Sequence, residues 1–290
     1  MSLRIIPRLD IKGPNLVKGV RFEGLRVLGK PERFARHYYE SGADELIYMD
    51  VVASLYGRNS LLDIVERTSR EIFIPLAVGG GLRTLDDISA VLRAGADKVS
   101  LNTAAIGRPE LISEAARRFG SSTILISIEA TRKNDGTYEA YTDNGRQRTG
   151  VNVFEWAIRV AELGAGEIMI TSIDREGTGT GFDLELTREI SQSVSIPVIA
   201  CGGAGDPAHV SEAITQGKAD AVGLASLLHY DSVRQFAHDG TEYKDEGNIE
   251  FLRGERGASG ARRASVPEIK NHLVDAGIAC RPTTLVPVRG

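Results

Sequence analysis

The chain has 290 residues, of which 42% are hydrophobic and 26% are charged, and its formal net charge is −4. This composition supplies a large core without disulfide or metal crosslinks, and it excludes a strongly basic nucleic-acid-binding domain. No apolar run approaches the roughly 18–20 residues of a membrane span, and the first ten residues lack the apolar segment of a signal peptide. The only cysteines are Cys201 and Cys280, which predicts a reducing, cytoplasmic setting.

Short β-branched runs alternate with amphipathic stretches, a pattern typical of buried parallel strands connected by helices. The predicted strands are Arg4–Asp10, Glu45–Val51, Ile74–Gly79, Asp97–Asn102, Thr123–Glu129, Glu167–Ser172, Pro197–Gly202 and Asp220–Ala225. The predicted helices lie near 31–41, 60–70, 84–94, 108–118, 152–163, 184–193, 206–216 and 266–276. Eight βα units in a chain of this length indicate an α/β fold, the (β/α)8 TIM barrel. A doubly wound open sheet is the alternative, disfavoured because no Gly-x-Gly-x-x-Gly sequence opens a helix after the first strand.

The chain also repeats itself with a period of about 120 residues, the scale of a structural repeat unit. A shift of 123 places residues 78–81 on 201–204 and Thr103 on Ser226, although Gly95 then falls on Lys218, one residue past its expected match Gly217. A shift of 119 places Asp10 on Glu129. Because separate segments agree on one period, the sequence predicts a duplicated half-barrel of four βα units per half.

The segment after the eighth predicted strand is longer than a last loop and helix require. We interpret the polar stretch 230–264 as an insertion in the loop between strand 8 and helix 8, within one barrel domain over residues 1–290. In this fold that loop lies at the carboxyl-terminal face of the barrel, where active sites form. A disordered surface loop is the alternative that the composition leaves open.

Two acidic residues end repeat-related strands on opposite sides of the predicted barrel. Asp10 ends strand 1 and Glu129 ends strand 5. Two carboxylates across a barrel mouth can divide general acid and general base catalysis, so both residues are predicted to be catalytic. A helix-capping or solvated carboxylate is the alternative at each position.

Glycines and small polar residues follow the third, fourth, seventh and eighth predicted strands. Such residues let backbone N–H groups approach an anion closely, and phosphate sites after strands 7 and 8 are common in TIM barrels. The repeat supplies a second set after strands 3 and 4, which predicts a substrate with a phosphate at each end. The predicted phosphate-binding residues are Gly80, Gly81, Asn102, Thr103, Gly202, Gly203, Ala225 and Ser226.

Four charged residues of alternating sign begin four strands and converge on the opposite end of the predicted barrel. They are Arg4, Glu45, Lys98 and Glu167. Their positions predict a closed ring of ion pairs, which is either a structural plug or, because buried charge is costly, a polar gate into the barrel. The histidines show no metal-ligand spacing, so neither a metal nor another cofactor is expected.

Several motifs follow one another around the whole predicted barrel. They include Arg4-Ile-Ile-Pro-Arg-Leu-Asp10, Ala77-Val-Gly-Gly-Gly81, Thr171-Ser-Ile-Asp-Arg-Glu-Gly-Thr178 and Cys201-Gly-Gly-Ala-Gly205. In this order they resemble the cyclase-subunit family of imidazole glycerol phosphate synthase. The resemblance runs from about residue 3 to 229 and resumes over the last helix. It implies a lyase–cyclase of histidine biosynthesis that acts on a bis-phosphate ribonucleotide, with ammonia delivered by a separate glutaminase subunit docked on the barrel bottom.

The resemblance also implies roles for individual residues. Asp10 matches one of two catalytic aspartates, Lys18 lies on a lid loop after strand 1, and the four bottom charges match an ammonia gate. The implied substrate-binding residues are Lys18, Asp50, Thr171, Ser172 and Glu176. The isomerase sister family shares the fold and both phosphate sites, but it lacks the gate and the Leu16-Val-Lys-Gly19 pattern.

Three positions depart from the family pattern, and two of them, Glu129 and Glu176, lie on the predicted catalytic face. Arg8 stands where a cysteine is usual, and Glu129 and Glu176 are each one methylene longer than the family's aspartates. A displacement of about 1 Å in a catalytic group can cost on the order of a hundredfold in rate. Two hypotheses therefore remain open. In the first, Asp10 and Glu129 act as acid and base in cyclisation.

In the second hypothesis, the barrel is an ammonia conduit and scaffold without cyclase activity. It would serve the amidation of an acetamido sugar in O-antigen or lipopolysaccharide biosynthesis, together with a separate sugar amidotransferase. Neither hypothesis includes a nucleic acid or a membrane as partner.

Overall fold

The computed structural model describes residues 2–53, 61–236 and 263–283. The strands in these ranges are β1 (Arg4–Lys12), β2 (Asn15–Val20), β3 (Glu23–Gly29), β4 (Leu46–Asp50), β5 (Leu76–Gly79), β6 (Lys98–Leu101), β7 (Ile124–Arg132), β8 (Tyr138–Thr142), β9 (Gln147–Asn152), β10 (Glu167–Ser172), β11 (Val198–Cys201) and β12 (Ala221–Leu224). The helices are α1 (Pro31–Glu40), α2 (Leu62–Ser69), α3 (Leu85–Arg93), α4 (Thr103–Gly107), α5 (Glu110–Phe119), α6 (Val153–Glu162), α7 (Leu184–Ser193), α8 (Pro207–Thr215), α9 (Ser226–Gln235) and α10 (Val266–Asp275).

Eight of the described strands pair in parallel and close into a barrel, in the order β1, β4, β5, β6, β7, β10, β11, β12. The ring closes where β12 pairs with β1, in a register that sets Arg4 beside Ala221. Each predicted strand and each predicted helix is present within a few residues of its expected bounds. The TIM barrel is therefore confirmed, and the open-sheet alternative is wrong.

The helices begin where their sequences supply side-chain caps. Thr84 accepts a hydrogen bond from the backbone of Asp87, whose carboxylate accepts in return from the Thr84 backbone. Asp206 caps α8 immediately before a proline at its first position. Such caps satisfy backbone donors that the first helical turn leaves without partners, which fixes where each helix begins. No described helix is long and apolar enough to cross a membrane.

Two antiparallel hairpins extend from the barrel, and the sequence analysis did not predict either of them. The pair β2–β3 continues from β1, and the pair β8–β9 continues from β7. They follow strands 1 and 5 of the barrel, which are equivalent positions in the two halves. The hairpins therefore obey the predicted half-barrel duplication.

Helix α9 follows β12 directly and takes in residues 226–235. The first residues of the predicted insertion, 230–235, are thus the end of a helix. Residues 237–262, which make up most of that insertion, lie outside the described residues, so its extent stays a prediction.

The backbone conformation of the two halves matches at unusual positions. Gly80 and Gly81 have φ angles of 100° and 72°, and Gly202 and Gly203 have φ angles of 88° and 108°. These glycines follow β5 and β11, whose registers correspond at a shift of 122, one residue less than the predicted 123. Asn102 (φ −137°, ψ −85°) and Ala225 (φ −124°, ψ −85°) share a conformation outside the common regions and are related by the predicted shift of 123. Both correspondences support duplication.

The match of Gly95 to Gly217 is supported by the helices before them. Helix α3 and its caps Thr84 and Ala94 correspond to α8 and its caps Asp206 and Gln216 at a shift of 122, so each glycine follows the end of its helix. The next strands, β6 and β12, correspond at a shift of 123. The second half therefore has one extra residue in this turn, where Lys218 has a φ of 58°.

An apolar layer crosses the inside of the barrel between its two ends. Ile6, Ile47, Leu125 and Ile199 are fully buried and form part of a hydrophobic cluster separate from the larger one between barrel and helices. On each strand the side chains two residues away point to the same interior. This layer thus separates the charged residues at the strand starts from the polar residues at the strand ends.

Candidate active site

The barrel mouth brings the two predicted catalytic carboxylates into one buried site. Asp10 and Glu129 are each 3% exposed. Oδ1 of Asp10 accepts a hydrogen bond from Nε of Arg8 at 2.9 Å. Oε2 of Glu129 accepts from the backbone N–H of Gly145 at 2.8 Å. One carboxylate is therefore held by a cation and the other by a neutral donor.

Arg8 lies at the centre of this site, although the sequence analysis treated it only as a departure from the family pattern. Its Nη1 donates to Oγ1 of Thr171 at 3.3 Å and to Sγ of Cys201 at 3.7 Å. Its Nη2 is buried without a hydrogen-bond acceptor among the described residues. Burial lowers the pKa of the guanidinium, but the surrounding acidic groups, Asp10 first, outweigh burial and raise it. Arg8 is therefore a permanent cation.

Glu129 behaves differently from an exposed glutamate. Burial raises the pKa of its carboxyl to about 7, against the lowering effects of Arg8 and of the Gly145 N–H. A carboxyl with a pKa near neutrality can donate and accept protons at physiological pH. This environment is typical of a general acid or base.

A second buried ion pair joins the β2–β3 hairpin to the barrel. Nζ of Lys18 donates to Oε1 of Glu176, and both residues are at most 4% exposed. Burial raises the pKa of the Glu176 carboxyl, but Lys18 and Arg8 outweigh burial, and the net effect is a lowered pKa. The predicted substrate-binding residues Lys18 and Glu176 thus bind each other in this structure.

The two hairpins meet over the barrel mouth. Phe22, at the β2–β3 turn, is 3% exposed, and its ring centre lies 5.3 Å from the guanidinium carbon of Arg8. A Cβ atom on Gly145, in the β8–β9 turn, would lie only 2.9 Å from Cδ2 of Phe22. The backbone N–H of Arg21 donates to the carbonyl of Glu176. The hairpin that carries Lys18 therefore covers the site.

The first predicted phosphate site lines an open cavity of about 300 Å³ beside Glu129. Its lining includes four of the predicted phosphate-binding residues, Gly80, Gly81, Asn102 and Thr103, together with Asp50 and Glu129. Helix α4 begins there without a side-chain cap, so its backbone N–H groups are available to an anion. Arg83 and Arg108 also line this cavity, and the sequence analysis missed both because surface arginines carry no spacing signal.

The second predicted phosphate site lies under a loop. The backbone N–H of Gly181 donates to the carbonyl of Gly203 at 2.8 Å. A Cβ atom on Gly203 would also come within 3.0 Å of the Arg175 side chain. Helix α9 begins at Ser226 without a side-chain cap, as α4 does. Gly202, Gly203, Ala225 and Ser226 therefore repeat the backbone arrangement of the first site, with the loop 175–181 above it.

Ser172 and His229 complete the polar surroundings. The hydroxyl of Ser172 is buried and lacks a hydrogen-bond partner among the described residues. Nε2 of His229 lies 2.9 Å from the carbonyl of Arg8, and Nδ1 lies 2.6 Å from the hydroxyl of Tyr38. Because a carbonyl only accepts, Nε2 carries the proton and Nδ1 accepts from Tyr38. Burial lowers the pKa of His229 to about 3, so the ring is neutral and holds the Arg8 backbone in place.

At the other end of the barrel the four predicted gate residues form a closed ring of ion pairs. Arg4 binds Glu45 at 3.0 Å and also binds Glu167. Lys98 binds the same two carboxylates at 2.8 and 3.0 Å. The carboxylates are almost fully buried, whereas Arg4 and Lys98 keep 27% and 19% of their side-chain surface exposed. The ring therefore closes the barrel with its cations toward the outside.

Comparison with known proteins gives consistent matches along the barrel. The chain matches the model of the histidine biosynthesis protein family over residues 4–234. It is 60% identical over 204 residues to imidazole glycerol phosphate synthase subunit HisF of Legionella pneumophila, covering 70% of this chain and 96% of the relative. It is 50% identical over 233 residues to the subunit of the same name from Alkaliphilus metalliredigens (strain QYMF), covering 80% of this chain and 92% of that relative. The family match spans every described strand and both mouth carboxylates.

Proposed function

Since this chain belongs to the histidine biosynthesis protein family, and within it to the HisF type, we propose that it catalyses the lyase–cyclase reaction of imidazole glycerol phosphate synthase. The observation that carries this proposal is the placement of Asp10 and Glu129 in one buried mouth with different partners. Incorporating ammonia, breaking a C–N bond and closing a ring all require protons to be moved at defined atoms. Two carboxyl groups in unlike environments supply an acid and a base for those transfers.

The substrate in this proposal is a ribonucleotide with a phosphate at each end. The two sets of small residues lie after repeat-related strands, and both adjoin helix starts without side-chain caps. Helix starts of this kind favour phosphate because their N–H groups and the helix dipole point at the anion. The reacting centre of such a substrate would lie between the phosphates, over Asp10 and Glu129. Thr171, Ser172 and Asp50 would contact that centre or the sugars beside it.

The nitrogen source in this proposal is a glutaminase subunit docked on the barrel bottom. The ring of Arg4, Glu45, Lys98 and Glu167 marks the point where ammonia would enter. Beyond the ring, a small neutral molecule would meet the apolar layer and then the hydroxyls of Ser100 and Ser127. These two hydroxyls are buried without hydrogen-bond partners among the described residues. A route of this kind passes ammonia but disfavours ions, because an apolar layer does not solvate charge.

The amidation alternative gains no support over the cyclase from these comparisons, since both relatives bear the name of the cyclase subunit. A cytoplasmic setting stays a prediction, based on two cysteines that are both free thiols.

Turnover of the bis-phosphate ribonucleotide with free ammonium tests the proposal without any partner. We expect turnover by the wild-type chain, and a loss on the order of a hundredfold or more in Asp10→Asn, because an acid–base group contributes that much. The chain should also restore growth to a histidine auxotroph that lacks its cyclase. Absence of both turnover and growth from a folded protein would overturn the proposed activity and leave the conduit hypothesis.

A further inference from the structure

The buried charges at the barrel mouth do not pair evenly. Among the described residues there, Arg8 binds Asp10 and Lys18 binds Glu176, which uses both cations. Glu129 and Asp50 are further buried carboxyls at the mouth. Asp50 accepts a hydrogen bond from the backbone N–H of Val52 at 3.0 Å, whereas Glu129 accepts one from the neutral backbone of Gly145 and also faces the charge of Asp143. The buried carboxyls therefore outnumber the buried cations. An unpaired buried charge is costly, so a proton belongs on Glu129, which forms no ion pair among the described residues.

We propose that Arg8 is a positioning residue that assigns the two catalytic roles. By binding Asp10, it positions that carboxylate as the general base and leaves Glu129 to carry the proton as the general acid. This inference rests on the proposed function, because the roles matter only if the chain performs the acid–base chemistry. The inference goes beyond the proposed function because it names which carboxyl is the acid, which is the base, and which side chain assigns these roles.

The contacts of Arg8 suit this task, because they hold the guanidinium through its Nε and Nη1 atoms and against one aromatic ring. Nε binds Asp10, Nη1 lies against Thr171 and Cys201, and Phe22 covers the group from the hairpin. The backbone of the same residue is held through His229. A planar guanidinium with several fixed donors orients a carboxylate more strictly than a freely rotating ammonium does.

Arg8 also faces acidic groups from several elements, so its charge acts beyond the pair with Asp10. Glu129 on β7 and Glu176 after β10 both interact with it electrostatically, whereas burial raises the pKa of the Cys201 thiol on β11 and keeps it neutral. Lys18 on β2 is the other buried cation nearby, and it is committed to Glu176. Burial raises the pKa of Glu129 to about 7, and the charge of Arg8 is the largest effect that opposes burial. Removing Arg8 therefore raises the pKa of Glu129 further.

Carbon-13 NMR of glutamate side-chain carboxyls tests this directly in the full-length chain. The Glu129 signal is assigned by its loss in Glu129→Gln and is then titrated in the wild type, Arg8→Gln and Arg8→Lys. We expect a wild-type midpoint near 7, as the buried site predicts. In Arg8→Gln the midpoint should rise by about one pH unit, the smaller end of the effect of a nearby opposite charge. Arg8→Lys keeps the charge and should restore most of the wild-type value.

Cys201→Ala is the matched control, because it disturbs packing against the same guanidinium without removing a charge. Its Glu129 midpoint should stay within a few tenths of a pH unit of the wild type. A wild-type midpoint at an ordinary glutamate value, or an unchanged midpoint in folded Arg8→Gln, would overturn the inference. If Arg8→Gln does not fold, two Glu129 midpoints test the inference instead. The wild-type midpoint should lie near 7, and the Arg8→Lys midpoint should lie close to the wild-type value.

The pH profile of turnover with free ammonium separates this inference from the proposed function. The alkaline limb of kcat/KM reports the general acid, so it should move upward in Arg8→Gln and stay in place in Cys201→Ala. No turnover by the wild type would overturn the proposed function, while the NMR titration would still test the charge assignment. Turnover with an alkaline limb that Arg8→Gln leaves unmoved would overturn only the role of Arg8.

Discussion

The backbone N–H of Gly145 donates to Oε2 of Glu129 over 2.8 Å, from the turn between β8 and β9. Gly145 has a φ of 73°, and a Cβ atom there would lie 2.9 Å from Phe22. The same glycine therefore orients a catalytic carboxyl and permits the two hairpins to meet. A side chain at this position would disturb both functions at once.

Gly145→Ala should lower kcat by about tenfold or more, because a small displacement of a catalytic group is costly. It should also destabilise the fold by about 1–2 kcal/mol through left-handed strain. Turnover with free ammonium and urea unfolding measure the two effects. Gly136→Ala is the control, since Gly136 has φ 86° in a turn where a Cβ atom would contact nothing within 4 Å. Equal losses of kcat in both variants would contradict the role of Gly145.

Glu129→Gln should change the pH dependence of stability. In the wild type the buried carboxyl keeps its proton up to about pH 7, whereas in the unfolded chain it loses its proton near its ordinary value of about 4.3. The unfolded state therefore binds fewer protons between these values, and the stability contributed by Glu129 falls as pH rises through this window. The loss should reach about 3–4 kcal/mol above pH 7, from the size of the pKa difference.

The amide of Glu129→Gln cannot titrate. The free energy of unfolding of the variant, relative to that of the wild type, should therefore increase between pH 5 and pH 7.5. Urea unfolding at both values measures this gain. Glu189→Gln, at an exposed position on α7, is the control. A gain that is the same at both pH values would show that Glu129 does not carry the proton.

Lys18→Met should destabilise the chain by about 3–5 kcal/mol, because it leaves Glu176 as an unpaired buried charge. The double variant Lys18→Met with Glu176→Gln should recover a large part of that loss, since no charge then remains to be paired. A double-mutant cycle from urea unfolding, completed by Glu176→Gln alone, measures the coupling. Additive single effects would show that the pair contributes nothing beyond packing.

Lys98→Ala should lower glutamine-dependent turnover in the complex with the glutaminase by at least about tenfold, a change of about 1.4 kcal/mol in a barrier. Turnover with saturating free ammonium should change by less than about twofold, since Lys98 lies far from the mouth in a separate cluster of charges. Lys133→Ala, at an exposed cation, is the control. Glutamine-dependent turnover that persists at the wild-type rate would exclude the gate.

Lys218→Gly should stabilise the chain by about 1 kcal/mol, because Lys218 has a left-handed φ of 58° that glycine adopts without strain. Gly95→Ala, in the corresponding turn of the first half, should destabilise the chain, since a Cβ atom there would lie 2.5 Å from Cβ of Ser69. Thermal unfolding of both variants measures these opposite effects. An unchanged melting temperature in both variants would contradict the strain assigned to these two turns.

The sequence predicted the barrel strands and helices because their signals are local. Short runs rich in apolar residues, such as Glu167–Ser172, predict strands. Capping residues such as Asp206 predict where helices begin. The hairpins β2–β3 and β8–β9 escaped prediction because they are short antiparallel extensions whose pairing depends on the barrel beneath them. Phe22 and Asn144, in their turns, have left-handed backbone conformations that residue type alone does not predict.

The site residues divide in the same way. Asp10, Glu129 and the four bottom charges could be predicted because each lies at a strand end or strand start, where position along the chain fixes position in space. Gly145 could not, because its contact with Glu129 comes from the tip of an unpredicted hairpin. Arg8 departs from the family pattern in the sequence, but its contacts with Thr171 and Cys201 join strands that lie far apart along the chain, so its partners could not be predicted.

The apolar layer of Ile6, Ile47, Leu125 and Ile199 separates two sets of ion pairs that share no member. Substitutions that change the chemistry of the mouth therefore leave the energies at the barrel bottom unaltered, and the reverse also holds. In evolutionary terms, the nitrogen-receiving end and the substrate-converting end can vary independently within one fold. A chain of this kind can acquire an arginine at position 8 and still inherit its lower ring unchanged.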